Sequence, residues 1–159
     1  MQDKFLKGIL GLVFIFNIII INLFPPPIEI FVFIGYLIFG IGAFFYIFTT
    51  AVFFRKGTDQ IIANGIYGII RHPLFLGVIL MYFSHILLSQ NWIVLISTII
   101  AIISCYLLIL SEEQQNIEKF GEDYKKYMLK TPRINFIIGI VRMIQRKRKN
   151  AKNARHGEE

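Results

Sequence analysis

Four stretches of the chain are each apolar enough to cross, or nearly cross, a lipid bilayer, and they leave little room for any other architecture. A helical span needs roughly 20 apolar residues to traverse a hydrocarbon core of about 30 Å. Residues 6–24 form a nearly unbroken run, interrupted only by glycines and by Asn17 and Asn22, and Pro25-Pro26-Pro27 stops it. Residues 28–54 make a second run with no charge after Glu29. Residues 74–88 are a shorter run, but Pro73 before them suits the first position of a helix. Residues 92–110 are the fourth, and only Ser89-Gln90-Asn91 separates them from the third, which predicts a tight antiparallel hairpin. Of the 159 residues 55% are hydrophobic, a figure that omits Gly, and 17% are charged. Soluble domains average about 45–50% apolar with Gly included and about 25% charged. Disorder is excluded by this composition, and a water-soluble globule is disfavoured. The single Cys excludes an intramolecular disulfide and a Cys-based zinc cluster, and no metal is expected.

The fold class expected is therefore an all-α integral membrane protein with four transmembrane helices. A membrane domain over residues 1–135 would include a cytoplasmic helix at about 112–130, and residues 136–159 would form an interfacial helix with a basic tail. The first run has Lys4 and Lys7 before or at its start, as a signal peptide would, but prolines follow it where a small-residue cleavage pattern belongs. It is read as an uncleaved span. Alternating four spans puts residues 1–5, 55–73 and 111–159 on one side, with Lys7 snorkelling towards it. All 17 Lys and Arg residues then lie on that side, so the positive-inside rule places both termini in the cytoplasm. The net charge of +7 thus reads as topology and contact with anionic lipid, and no nucleic-acid partner is expected, because no aromatic or glycine pattern accompanies it.

The polar residues are unevenly placed. Residues 59–73 interrupt the spans at the cytoplasmic face, with Asn64-Gly65 as a turn signal. His72 precedes proline and is biased away from helical dihedrals. It falls at the N-terminus of the third span, where free backbone N–H groups beside Arg71 suit a carboxylate or phosphate. Glu112 and Glu113 lie on the other arm of the hairpin. Counting from Gln90, His72 is 18 residues back and Glu112 is 22 forward, a depth difference of only about 6 Å at about 1.5 Å per residue. A cationic corner and a carboxylate pair therefore share one interfacial layer and can hold a zwitterion. Plainer readings stand beside this: Arg71 as a snorkelling anchor, His72 as a cap, the glutamates as a solvated continuation of the helix. His85 falls in mid-span, as a functional group or as a neutral partner for a neighbouring helix.

Gly65-Ile66-Tyr67 followed by Arg71-His72-Pro73-Leu74-Phe75-Leu76-Gly77 resembles the G-x-Y-x-x-x-R-H-P-x-Y-x-G signature of small membrane methyltransferases, the isoprenylcysteine carboxyl methyltransferase and phospholipid N-methyltransferase families. Glu112-Glu113, Phe120-Gly121-Glu122-Asp123-Tyr124, Tyr127 and Thr131-Pro132-Arg133 extend the resemblance over roughly residues 30–135. It implies S-adenosylmethionine as methyl donor in a cytoplasmic pocket, with cofactor roles for Tyr67, Arg71, His72, Glu112 and Glu113. Gln60, Ile61 and Ile62 would line that pocket, Arg133 would close it, and Arg71 and His72 would be the catalytic pair. The implied function is methylation of a lipophilic or lipidated acceptor, isoprenylcysteine carboxyl methyltransferase-like, with phospholipid amine N-methylation as the alternative. Phe75 stands where the signature has Tyr, and Asn135-Phe136 follows Arg133 where the family often has proline. Residues 107–110 lack the Arg that isoprenylcysteine enzymes share just before the Glu pair, which points away from a prenylcysteine acceptor. A nicotinamide-dependent membrane reductase and a non-enzymatic accessory protein are the rival expectations, separable by titration with each cofactor.

Overall fold

The computed structural model describes residues 2–57 and 59–156. Its regular structure follows the apolar runs: α1 (Gln2–Leu23), α2 (Glu29–Lys56), a 3-10 turn (Gly65–Gly68), α3 (Pro73–Ser89), α4 (Trp92–Phe120), α5 (Glu122–Lys130) and α6 (Phe136–His156). Among the described residues there is no strand. α1, α2 and α4 are long and apolar enough to cross a membrane. α3 has 17 residues, about 26 Å at a rise of about 1.5 Å each, a few ångströms short of the hydrocarbon thickness. The four expected spans thus become three of full length and one shorter apolar helix. Large side chains on the outer faces, such as Leu12 at 71% and Phe33 at 61% exposure, are tolerable only against lipid, and the protein is an integral membrane protein.

α1, α3 and α4 pack against one another, and α2 lies across the far side of α3. Lipid offers no hydrophobic drive between helices, so close backbone approach decides which faces meet. Gly35, Gly42 and Thr49 recur every seventh residue as the buried seam of α2. Where α2 crosses α3, a Cβ on Gly42 would lie 2.8 Å from the Gly77 carbonyl oxygen, and one on Gly77 would lie 2.7 Å from that of Gly42. Only glycine at both positions allows this contact.

The helix ends fix the topology. In the α3–α4 turn Gln90 adopts the left-handed conformation at φ 49°, and the Asn91 side chain caps α4 by accepting from the Ile93 amide at 2.9 Å. The Gln90 amide clamps the α1–α2 link by donating to the Ile28 carbonyl at 2.7 Å and accepting from its N–H at 3.2 Å. Both short links therefore lie at one end. At the other end, Gln115 donates to Asp3 at 2.8 Å, joining the start of α1 to the far part of α4. Within the helical layer, buried Asn17 meets His85 Nδ1 and Thr98 Oγ1, each at 3.4 Å, and accepts from Ser97. His85 is thus partnered by neighbouring helices.

α4 runs unbroken from the apolar segment through Glu112 and Glu113 to Phe120, and the chain turns only at Gly121, φ 56°, into α5. Residues 112–130 are accordingly two helices, the first a rigid continuation of the span.

Candidate active site

Arg71 and His72 sit where the 3-10 turn gives way to α3. His72 is the N-cap residue with φ −121° and ψ 60°, and Pro73 opens the helix behind it. Two backbone hydrogen bonds hold the pair from outside the bundle: the Arg71 amide donates to the Pro132 carbonyl at 2.9 Å and the His72 amide to that of Arg133 at 3.0 Å. The segment after α5 thus serves as a splint for the turn that carries the site. Tyr127 on α5 adds a third tie by donating to the Tyr67 carbonyl.

The two adjacent glutamates divide. Glu113 points inward, its side chain 5% exposed, and gathers three groups. Arg71 Nη2 reaches it at 2.9 Å, Arg133 at 2.7 Å through Nη2 and 3.1 Å through Nε, and His72 Nε2 at 3.3 Å. Charge-assisted pairs of this kind hold a guanidinium in one plane. Arg133 is itself steadied over the Tyr106 ring and donates to its hydroxyl at 3.2 Å. Two guanidinium groups share the Glu113 carboxylate, so the positive charge on that side is only partly neutralised. Arg71 Nε and Nη1 are buried with no hydrogen-bond partner among the described residues. A buried unpartnered guanidinium edge is costly unless an anion completes it. Glu112 points the other way, its side chain 40% exposed and its Oε2 3.8 Å from His72 Nδ1. Burial, with the Glu112 charge behind it, pushes the Tyr67 phenol above its ordinary 10.0, so Tyr67 stays a neutral hydrogen-bonding group. Burial likewise raises the Tyr124 phenol.

Between these groups lies a cavity of about 490 Å³, within the usual range for small-molecule sites. Of the residues that the sequence singled out, Gln60, Ile61, Ile62, Tyr67, Arg71, His72 and Glu112 line it. Glu113 and Arg133 do not; they stand behind Arg71 and orient it. Further walls, to which the sequence reading assigns no site role, are Phe53 from α2, Asn116 and Phe120 from the end of α4, Tyr124 and Tyr127 from α5, and Lys7 from α1. The recurrence of Ile117, Phe120, Tyr124 and Tyr127 at helical steps was the available signal for the aromatic wall, since that stripe needs a partner surface. Lys7 carried no such signal.

Arg71 and Glu112 thus line one cavity as cation and anion, and its other walls mix apolar and aromatic side chains such as Ile61, Ile62, Phe53 and Phe120 with polar ones such as Lys7, Gln60 and Asn116. Such a site suits a zwitterion attached to a flat ring system. The donor that the sequence suggests, S-adenosylmethionine, has this chemistry: an amino-acid zwitterion and an adenine.

Comparison with known proteins bears on the whole frame. The phospholipid methyltransferase family matches residues 30–123, from the start of α2 to the first turn of α5. Neither a curated protein nor a solved structure matches the chain. The match spans more than half of the 159 residues and includes the turn, both arms of the hairpin and the Glu pair. The chain belongs to the phospholipid methyltransferase family, within the superfamily of small membrane methyltransferases.

Proposed function

We propose that the protein methylates the amine headgroup of a membrane phospholipid at the cytoplasmic face, using S-adenosylmethionine held in the cavity between the 3-10 turn, α4 and α5. The observation that carries the reading is the buried, unpartnered Nε and Nη1 of Arg71, a residue held by Glu113 through Nη2 that lines the same cavity as His72 and the carboxylate of Glu112. Arg71 receives the donor's carboxylate, Glu112 its ammonium, and the aromatic wall of Phe120 and Tyr124 its adenine. When bound, S-adenosylmethionine supplies a methyl group on a sulfonium, an electrophile that needs no further activation. The protein's work is then orientation and exclusion of water, and direct transfer requires no nucleophile from the protein. His72, held against both glutamates, is placed to take the proton that an ammonium acceptor must lose. The acceptor reaches the site sideways from the bilayer, past the apolar outer faces of the spans.

Two observations favour a phospholipid amine over a prenylcysteine carboxylate. Residues 107–110 are apolar throughout, leaving no cation there for an acceptor carboxylate, and the family matched is that of phospholipid methyltransferases. With every Lys and Arg at the end of the bundle that holds the cavity, that end is cytoplasmic, together with both termini. The test is to present the purified protein with donor carrying a labelled methyl group and, separately, an ethanolamine phospholipid and a prenylcysteine peptide. Label in the phospholipid headgroup supports the assignment. Label in a base-labile ester of the peptide, with none in the headgroup, contradicts it.

A further inference from the structure

α6 lies outside the matched family region, yet it grips the turn that carries the site. Asn135 starts the helix by accepting from the Ile138 amide at 3.0 Å, and the Phe136 ring meets Phe45 of α2 edge-on at 6.1 Å. Gly139 is buried against the 3-10 turn, where a Cβ would be driven into the Ile69 carbonyl oxygen. Two turns on, Arg146 Nη2 donates to the Gly68 carbonyl at 3.0 Å. Arg142 reaches the Leu129 carbonyl at the end of α5 at 3.5 Å. The inner face of α6 is therefore seated on Gly68 and Ile69, within three residues of Tyr67 and Arg71.

Its outer face is built for a different neighbour. Ile137, Val141 and Ile144 follow one another at helical spacing and are 75%, 48% and 43% exposed. Beyond the inward-turned Arg142 and Arg146, residues 147–155 of the sequence hold five basic residues and no acidic one. An apolar stripe that passes into a basic segment lies in the plane of a membrane surface, its apolar side in the acyl boundary and its cations among anionic headgroups. The adjoining spans put that surface at hand. RNA fits worse, because the exposed stripe beside the charge is aliphatic rather than aromatic.

We propose that α6 senses membrane surface charge: an anionic phospholipid surface holds it down on residues 68–69, and this orders the turn that presents Tyr67 and Arg71 to the cavity. The amides of Ile69, Ile70, Arg71 and His72 all donate within this unit, the first two to the Ile66 carbonyl and the others to Pro132 and Arg133. Their hydrogen exchange therefore reports its order whether or not the cavity transfers a methyl group. A failure of the methyltransferase reading would leave this measurement intact.

The experiment compares exchange at residues 69–72 of the full chain in nanodiscs of neutral phosphatidylcholine and in discs with about one third phosphatidylglycerol, one protein per disc. The wild type should exchange about fivefold or more slowly in anionic discs, and the difference should shrink in high salt. A tail variant with Lys147→Gln, Arg148→Gln, Lys149→Gln, Lys152→Gln and Arg155→Gln keeps Arg142 and Arg146 and should lose the lipid dependence. Gly139→Val, which unseats the helix, should exchange fast in both discs. Equal wild-type exchange in the two lipids overturns the proposal. So does lipid dependence that survives in the tail variant or in Gly139→Val. Protection that appears in neutral discs once each holds two proteins would assign the face to a second copy and overturn it equally.

Discussion

Replacing Arg71 by lysine keeps the charge at the site and removes its fork. Arg71 uses Nη2 on Glu113, at 2.9 Å, and keeps Nε and Nη1 buried and without a partner among the described residues. A lysine ammonium is a single point and cannot serve Glu113 and a donor carboxylate with the same planar geometry. Hydrogen bonds to charged groups contribute about 1.5–3 kcal/mol each. At about 1.4 kcal/mol per factor of ten, losing one such bond weakens donor binding roughly 10- to 150-fold. The assay is calorimetric titration of the protein in phospholipid nanodiscs with S-adenosylmethionine and with its decarboxylated analogue. Wild type should bind the analogue more weakly by about the same factor, and Arg71→Lys should barely distinguish the two ligands. Wild-type affinity for the intact donor in Arg71→Lys would refute the reasoning. An equal loss for both ligands would also refute it, because the lost contact would then not be to the carboxylate.

Three further outcomes follow from the packing. Glu113→Gln leaves buried Arg71 beside Arg133 without a shared anion; breaking a buried pair costs about 3–5 kcal/mol, and the 31% exposure of Arg133 puts the expected loss near the lower end. Thermal unfolding in detergent should show it, and an unchanged midpoint would contradict the arrangement. Gly77→Ala places a Cβ against the Gly42 carbonyl and should destabilise the fold by about 1–3 kcal/mol, read by the same measurement. Burial raises the phenols of Tyr67, Tyr124 and Tyr127, so the native state holds their protons more tightly than the unfolded chain does. Their contribution to stability is complete below the unfolded value of 10.0 and is lost as pH rises from there through the raised native values. Tyr67→Phe with Tyr124→Phe should flatten the alkaline fall in stability, and an unaltered fall would rule the two residues out as its source.

What could be read from the sequence was set by local signals. Apolar runs located the helices, Pro73 fixed where α3 begins, and counting outward from Gln90 brought His72 and the glutamates to one depth, as their 3.3 and 3.8 Å separations show. Two carboxylates adjacent on a helix must diverge, but which one turns inward depends on Arg133, which lies 20 residues further along and folds back on it. Lys7 joins the cavity only because α1 packs on α4, a pairing that no local pattern encodes. The change from apolar to charged residues marks where the membrane ends and not where the helix does: α4 continues through the glutamates, as the helical count to Glu112 assumes, and on to Phe120. Asn135, a departure from the family's pattern, turns out to supply the side chain that starts α6. Arg146 reads in sequence as one of a run of lipid-facing cations, yet it turns inward to the Gly68 carbonyl. Such long-range choices depend on the assembled bundle.

The central claim is that the cavity around Arg71 and His72 transfers methyl groups to lipid. Its most direct test is the rate at which label passes from methyl-labelled S-adenosylmethionine into the organic-soluble lipid of vesicles carrying the purified protein. The wild type should incorporate label steadily, and the Arg71→Ala, His72→Ala double variant, checked to be folded, should fall by about 100-fold or more. Full activity in that folded variant, or no incorporation by the wild type with ethanolamine phospholipid present, would contradict the claim.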